Sequence, residues 1–150
     1  TMPPNQEVDA LRRVPLFQPI EPRRLKLLAF TSERLVFNPG QDVVRQGDPG
    51  DAAYIILAGE ADVLIDNNGT MIPVARLDEN AVIGEIAILT GVPRTATVRA
   101  VGELTALRIG KDTFFKLITD IPDIGMEIMK ELARRLERTT TELQKAKSAA

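Results

Sequence analysis

Residues 84–98 read Gly84-Glu85-Ile86-Ala87-Ile88-Leu89-Thr90-Gly91-Val92-Pro93-Arg94-Thr95-Ala96-Thr97-Val98, a small or apolar stretch with one carboxylate and one guanidinium. A helical turn after Gly84 would leave backbone N–H groups free, and these suit an anion. Pro93 fixes the backbone before Arg94, whose planar fork of donors suits a phosphate. Glu85 can accept hydrogen bonds from sugar hydroxyls. The stretch therefore predicts a site for a phosphorylated sugar; a surface loop in which Glu85 and Arg94 pair with each other is the alternative.

Both sides of this stretch alternate with a period of two residues, which indicates β-strands. Asn67-Asn68-Gly69 is a hairpin signal, and Pro73 places one hairpin strand at an edge or a bulge. Eight short strands separated by Gly/Pro turns indicate a closed or sandwiched β structure. The predicted strands are 34–37, 42–46, 53–57, 61–65, 71–76, 81–83, 95–100 and 104–109.

Two short helices precede the strands. The first is predicted at residues 5–14 and the second at residues 22–32, opened by Pro22. Six apolar side chains are expected to face the core from these helices. They are Val8, Leu11, Val14, Leu25, Leu28 and Ala29.

From Lys111 the pattern is helical again. Asp112 or Thr113 can cap a helix over residues 113–118, and Pro122 opens a long helix over residues 122–146 with a frayed tail after it. The apolar residues of the long helix recur at helical spacing among many charges, which is typical of a dimer seam or of a helix packed on its own domain. These apolar residues are Ile124, Ile128, Met129, Leu132, Leu136 and Leu143.

Composition narrows the class of protein. The chain has 150 residues, is 44% hydrophobic and carries a net charge of −2, which suits one globular domain and argues against a general nucleic-acid binder. It has no Cys and no His, which removes zinc sites, His-ligated haem and triad catalysis. We expect no metal or other cofactor, no membrane span and a cytoplasmic location. The first residue, Thr, suggests an excised piece of a longer chain.

The order of these elements resembles the cyclic nucleotide-binding domain family. Three segments carry the resemblance: Pro39 to Asp48, Tyr54 to Glu60, and Gly84 to Val98. The resemblance covers about residues 16–140 and implies a single mainly β domain with flanking helices over residues 1–150. Helices would occupy 5–32, an eight-stranded jelly-roll β-barrel 33–110, and a C-terminal helical lid 111–146.

The resemblance also implies a ligand site. Arg94 would bind the oxygens of a 3′,5′-cyclic phosphate and Glu85 the ribose 2′-OH. Backbone N–H groups of Gly84, Ile86 and Ala96 would complete the phosphate site. Two strand residues, Val63 and Val74, would contact the purine. Ile83 departs from the Phe of many members, but it is a packing residue.

Thr95 bears on the choice of base. In the family, a hydroxyl directly after the arginine can reach the phosphate or a guanine amino group, so cGMP stays open as a ligand. We favour cAMP, because bacterial-looking members of this kind mostly use it.

The long helix is similar to that of the catabolite activator protein-like members. By this resemblance Thr139 and Thr140 would bind the adenine amino group, one within the subunit and one across a dimer. In channel members an arginine caps the base, and Arg135 matches that place. Solvated helix surface is the alternative for Arg135 and Thr140.

The sequence therefore predicts a regulatory sensor module without catalysis. Its partners would be a cyclic nucleotide, a second copy bound through residues 122–146, and an effector domain, fused or separate, of a channel, transporter, kinase or transcription factor. No direct nucleic-acid contact is expected from this chain. A nucleotide-free dimerisation domain and a cGMP-specific sensor are the alternatives.

Overall fold

The computed structural model of the protein describes residues 4–149. The helices are α1 Pro4–Arg12, a 3-10 turn Pro15–Phe17, α2 Pro22–Thr31, α3 Glu85–Thr90, α4 Lys111–Asp120 and α5 Pro122–Ala149. The strands are β1 Glu33–Phe37, β2 Asp42–Val44, β3 Ala52–Ala58, β4 Ala61–Asn67, β5 Thr70–Leu77, β6 Val82–Ile83, β7 Thr97–Ala100 and β8 Leu104–Gly110.

The eight strands form two four-stranded antiparallel sheets. Their strand orders are β1-β8-β3-β6 and β2-β7-β4-β5. Consecutive strands thus alternate between sheets except at the β4–β5 hairpin, which is a jelly-roll pattern. The prediction of eight strands with helices before and after them is confirmed.

The two central strands of the first sheet, β3 and β8, are buried on both faces. One face of β3 presents Ala53, Ile55 and Leu57 to a core shared with the helices, and the other presents Tyr54 and Ile56 to a core between the sheets. Because side chains alternate along a strand, an unbroken apolar run is what a strand between two layers requires. All six predicted inward residues of α1 and α2, and of the turn after α1, are buried in the first core: Val8, Leu11, Val14, Leu25, Leu28 and Ala29.

The β4–β5 hairpin has the predicted turn. Asn68 and Gly69 both have positive φ, 54° and 88°, as the two central residues of a type I′ turn require. Strand β5 lies at the edge of its sheet. Val63 pairs with Ala75 and Leu64 with Pro73, so Val74 is an extra residue in a bulge. Pro73 therefore lies both on an edge strand and beside a bulge.

Three helix predictions need correction. Helix α1 ends at Arg12 rather than residue 14, because Pro15 starts a separate 3-10 turn. Strand β8 runs directly into α4, whose N-cap is Gly110 without a side-chain cap, so capping by Asp112 or Thr113 is wrong. Helix α5 continues through the tail that was predicted to fray and reaches Ala149.

Three strands are shorter than predicted. Strand β6 begins at Val82 instead of Ala81. Strand β2 ends at Val44 instead of Gln46, whose backbone N–H donates to the Thr97 hydroxyl. Strand β7 begins at Thr97 instead of Thr95, because the residues before it belong to the loop described below.

Helices α4 and α5 follow each other almost directly. Only Ile121, with φ −129° and ψ 84°, separates α4 from α5. Within residues 4–149, no helix has the combination of length and apolar character that crossing a bilayer requires.

A row of opposite charges crosses the second sheet at one register. Asp42 lies opposite Arg99, Arg99 opposite Asp62, and Asp62 opposite Arg76. Arg99 Nε is 2.7 Å from Asp42 Oδ1, and Arg76 Nε is 2.9 Å from Asp62 Oδ1. The hydrogen bond from Arg99 lowers the pKa of Asp42 below its ordinary value, although partial burial opposes the shift, and Arg45 adds to it.

The lowered pKa of Asp42 determines the direction in which the free energy of unfolding changes with pH. A carboxyl group with a lowered folded-state pKa stabilises the fold above its unfolded pKa, about 3.9, and loses that contribution as pH falls through the folded value. We expect Asp42→Asn to reduce the free energy of unfolding at pH 7 and to flatten its decline in acid. Urea unfolding from pH 7 to pH 2 measures both.

Asp9→Asn, at an exposed position of α1, is the control and should leave both unchanged. An Asp42→Asn variant with the wild-type acid profile would contradict the assignment.

Candidate functional site

The loop between β6 and β7 holds the predicted helical turn. Helix α3 begins at Glu85 directly after Gly84 and ends before Gly91. Both glycines have left-handed φ, 86° and 73°, which costs a residue with a Cβ more than it costs glycine. We call residues 84–96 the β6–β7 loop.

Arg94 is buried inside this loop. Its Nη1 donates to the Gly84 carbonyl at 2.9 Å and its Nη2 to the Ala52 carbonyl at 2.7 Å. Asp51 Oδ1 lies 3.6 Å from Nη2. The side chain is only 4% exposed, so the carbonyls and the carboxylate offset part of the cost of burying the charge. Two of its five N–H donors go to carbonyls, which leaves donors for an anion.

Glu85 is buried as well, and its partner comes from the C-terminal helix. Arg135 Nη1 on α5 donates to Glu85 Oε1 at 2.8 Å. The Glu85 side chain is 8% exposed and that of Arg135 is 41% exposed. Glu85 and Arg94 are therefore buried with different partners, and the alternative of a surface loop held by their mutual pair is wrong.

Arg135 also anchors a cluster of charges along α5. Its Nε lies 3.5 Å from Glu131 Oε1, and Glu131 pairs with Arg134 and Arg138 as well. The cluster faces the same space as Glu85, so α5 forms one wall of the site.

A cavity of about 760 Å³ lies between the β6–β7 loop, the second sheet and α5. Nine of the eleven predicted ligand-binding residues line it: Val63, Gly84, Glu85, Ile86, Arg94, Thr95, Ala96, Arg135 and Thr139. Further apolar lining comes from residues that were not predicted: Val44, Ala75, Leu77, Val98 and Leu132.

Val74 and Thr140 are not among the lining residues. The bulge at Val74 puts Ala75 opposite Val63, so Ala75 lines the cavity and Val74 is 54% exposed. The Thr140 hydroxyl donates to the Leu136 carbonyl on the exposed side of α5. In this chain the two residues thus lie apart from the other predicted site residues.

Asp51 was missed because no local pattern connects it with Arg94. It directly precedes β3, and the carbonyl of its neighbour Ala52 is 42 residues from Arg94 in sequence. The sequence indicates Asp51 only through a general rule, which is that a buried guanidinium needs acceptors. The Gly-Asp-Pro-Gly-Asp turn at 47–51 supplies a carboxylate for this.

The arrangement joins three kinds of recognition in one cavity. Arg94 supplies cationic donors, Glu85 supplies carboxylate acceptors, and the strand side chains supply an apolar wall. In residues 4–149 no group of Asp and Glu side chains is placed to hold a metal ion. The site suits a ligand with an anionic group, a hydroxyl and a flat apolar part.

The fold and the cavity define a jelly-roll module with an internal site that suits a small molecule. Residues 34–120 match the sequence model of the family described as "Cyclic nucleotide-binding domain". The chain belongs to this family.

Three comparisons illustrate the similarity. The chain is 40% identical to a cAMP-dependent protein kinase regulatory subunit of Mucor circinelloides f. lusitanicus, over 76% of this chain and 27% of that protein. It is 29% identical to the CRP-like cAMP-activated global transcriptional regulator of Mycobacterium tuberculosis, over 90% of this chain and 61% of that protein. The catabolite activator protein of Thermus thermophilus aligns with a TM-score of 0.79 and 27% identity, over 87% of this chain and 62% of that one.

The chain thus spans about a quarter of the kinase regulatory subunit and less than two thirds of the bacterial regulator. The similarity therefore concerns only part of each of these longer proteins.

Substitution of Gly84 by alanine tests the packing of Arg94. A Cβ on Gly84 would overlap Arg94 Nη1, whereas a Cβ on Gly91 would meet nothing within 4 Å. Both positions have left-handed φ. We expect Gly91→Ala to cost about 1 kcal/mol through the backbone, and Gly84→Ala at least about 1 kcal/mol more, because the guanidinium must move.

Urea unfolding of the two variants measures the difference. Equal losses of stability in both would show that the contact between Gly84 and Arg94 does not hold the loop.

Proposed function

We propose that this chain is a cytoplasmic regulatory module, without catalysis of its own, that binds a 3′,5′-cyclic nucleotide, with cAMP preferred. One observation carries the proposal. A buried guanidinium and a buried carboxylate line one cavity, and each is held by a different partner. Burying two charges is costly, and this arrangement leaves both with hydrogen-bonding capacity toward the cavity.

The phosphate binds Arg94 and the backbone N–H groups of Gly84, Ile86 and Ala96. The two carbonyls that bind Arg94 fix the guanidinium plane, so little side-chain entropy is lost when an anion binds. A cyclic phosphate diester carries one negative charge, which a single guanidinium can neutralise.

The ribose binds Glu85. A carboxylate accepts several hydrogen bonds, so Glu85 can hold Arg135 and the ribose 2′-OH at the same time. The ribose would then lie at the contact between the β6–β7 loop and α5.

The base packs on Val63 and its neighbour Ala75, and Thr139 on α5 binds its polar edge. Arg135 is engaged by Glu85 on the ribose side, which favours Thr139 over Arg135 as the residue that caps the base. Thr95 lines the cavity beside Arg94, so cGMP is the second ligand to test. The names of the fungal and mycobacterial relatives, cAMP-dependent and cAMP-activated, support cAMP.

The response passes through α5. Arg135 connects this helix directly to the residue that binds the ribose. A ligand shifts a helix only through different affinities for its two positions, and contacts from α5 to the ligand supply such a difference. The effector is a domain or partner of a regulator, as in the kinase subunit and the transcriptional regulator that the chain resembles.

Calorimetry with cAMP and cGMP tests the binding function. We expect cAMP to bind far more tightly than about 1 mM, and Arg94→Lys to weaken it at least about 30-fold, because lysine keeps the charge but loses the fork of donors. Lysine is used instead of alanine because Arg94 also satisfies two buried carbonyls.

Arg99→Lys changes a strand arginine that does not line the cavity and should bind like the wild type. Affinities no tighter than about millimolar for both nucleotides would refute the function, and a preference for cGMP would correct the ligand.

A second copy of the chain is the proposed partner of α5. Met126, Met129, Leu136 and Leu143 are more than half exposed, and they recur with Ala133 and Thr140 at alternating intervals of three and four residues. This is the spacing of a coiled-coil seam. Ile124 and Ile128 are buried against the domain, so the helix uses different faces for the two contacts.

Leu136→Lys should convert a dimer into a monomer, because it puts a charge in the seam. Light scattering after size exclusion measures the mass. Thr141→Lys adds the same charge beside the seam and should keep the dimer. A wild type that is monomeric at high micromolar concentration would refute the seam, and a dimer that binds neither nucleotide would favour the nucleotide-free dimerisation domain.

A further inference from the structure

Asp51 lies between two arginines, Arg94 of the β6–β7 loop and Arg108 of strand β8. Its Oδ1 is 3.6 Å from Arg94 Nη2, and its Oδ2 is 3.4 Å from Arg108 Nη2. Each carboxylate oxygen thus faces one guanidinium. Asp51 is 69% exposed, whereas Arg108 is 30% exposed and Arg94 is 4% exposed. The exposed carboxylate is therefore free to shift between two better-anchored cations.

The backbone positions of Asp51 and Arg108 are fixed. Arg108 lies on β8, which pairs with β1 on one side and with β3 on the other, and its direct partner on β3 is Tyr54. The backbone carbonyl of Asp51 accepts the N–H of Lys111 at 2.9 Å. Only the carboxylate of Asp51 needs to rotate for its charge to move from one arginine toward the other.

A phosphate bound to Arg94 would bring a second anion next to Asp51. Two anions next to one guanidinium repel each other. A cation on the far side of Asp51 offsets this repulsion, because it attracts the carboxylate away from the phosphate. Arg108 is placed on that side.

We propose that Arg108 is a positioning residue for ligand binding: it draws the Asp51 carboxylate away from Arg94 and so strengthens the affinity for the cyclic phosphate. The inference rests on the proposed function, in which Arg94 binds that phosphate. Arg108 does not line the cavity, so its effect passes through Asp51.

Because Arg108 acts through Asp51, its effect on ligand affinity should disappear when the Asp51 carboxylate is removed. Without Arg108, the Asp51 carboxylate stays with Arg94 and competes with the phosphate, so Arg108→Gln weakens binding. When Asp51 is Asn, no carboxylate remains to compete, and the loss of Arg108 no longer matters.

A double-mutant cycle with Arg108→Gln, Asp51→Asn and the double variant measures this by calorimetry with cAMP. We expect Arg108→Gln to weaken binding about 5-fold in the wild-type background and less than about 2-fold in the Asp51→Asn background. Arg99→Gln, which removes another strand arginine with an aspartate partner, is the control and should change affinity in neither background. Thermal unfolding of every variant without ligand checks that each is folded.

Equal losses in the two backgrounds would overturn the inference, because they would show that Arg108 acts without Asp51. Wild-type affinity in Arg108→Gln would also overturn it. Wild-type protein that binds neither nucleotide would refute the proposed function itself, and this inference with it. A merely structural role of Arg108 would lower the melting temperature and weaken binding alike in both backgrounds.

Discussion

The pair of hydrogen bonds from Arg94 to the carbonyls of Gly84 and Ala52 is the interaction on which the site depends. It joins the β6–β7 loop to the start of β3, a strand of the opposite sheet from β7. The same bonds satisfy a guanidinium that would be costly to bury alone. The residue that is proposed to bind the ligand therefore also fixes the loop that surrounds it, so Arg94 contributes both to affinity and to local stability.

Two glycines, Gly84 and Gly50, allow close packing around Arg94 and α3. Gly84 leaves room for the guanidinium, and Gly50 brings the β2–β3 turn against Ala87 of α3, where a Cβ would overlap. At Gly50 the backbone of the β2–β3 turn lies close to α3, and at Gly84 the backbone lies close to the Arg94 guanidinium. Close packing of this kind transmits small displacements, because neither contact has room to yield.

The sequence alone predicts the order of the helices and strands, and most of the predicted site residues line the cavity. Hydrophobic alternation and turn residues are local signals, so they can be read without the structure. Gly84, Glu85 and Arg94 could be found because their chemistry is concentrated in one short stretch. Val74 lies away from the cavity because a bulge shifts which residue of β5 faces inward, and no local pattern shows which residue the bulge contains. The ion pair of Glu85 with Arg135 spans 50 residues, and only the packing of α5 reveals it.

The single residue Ile121 between α4 and α5 has a mechanical consequence. Strand β8 continues into α4 without a loop, and Ile121 is the first place after it where the backbone departs from helix. The 28 residues of α5 make a lever of about 42 Å. A rotation of about 10° around Ile121 would move the far end of that lever by about 7 Å, while Ile124, one turn from the pivot, stays in the core. A sub-ångström change at the pivot thus becomes a displacement of several ångströms at the end of the chain.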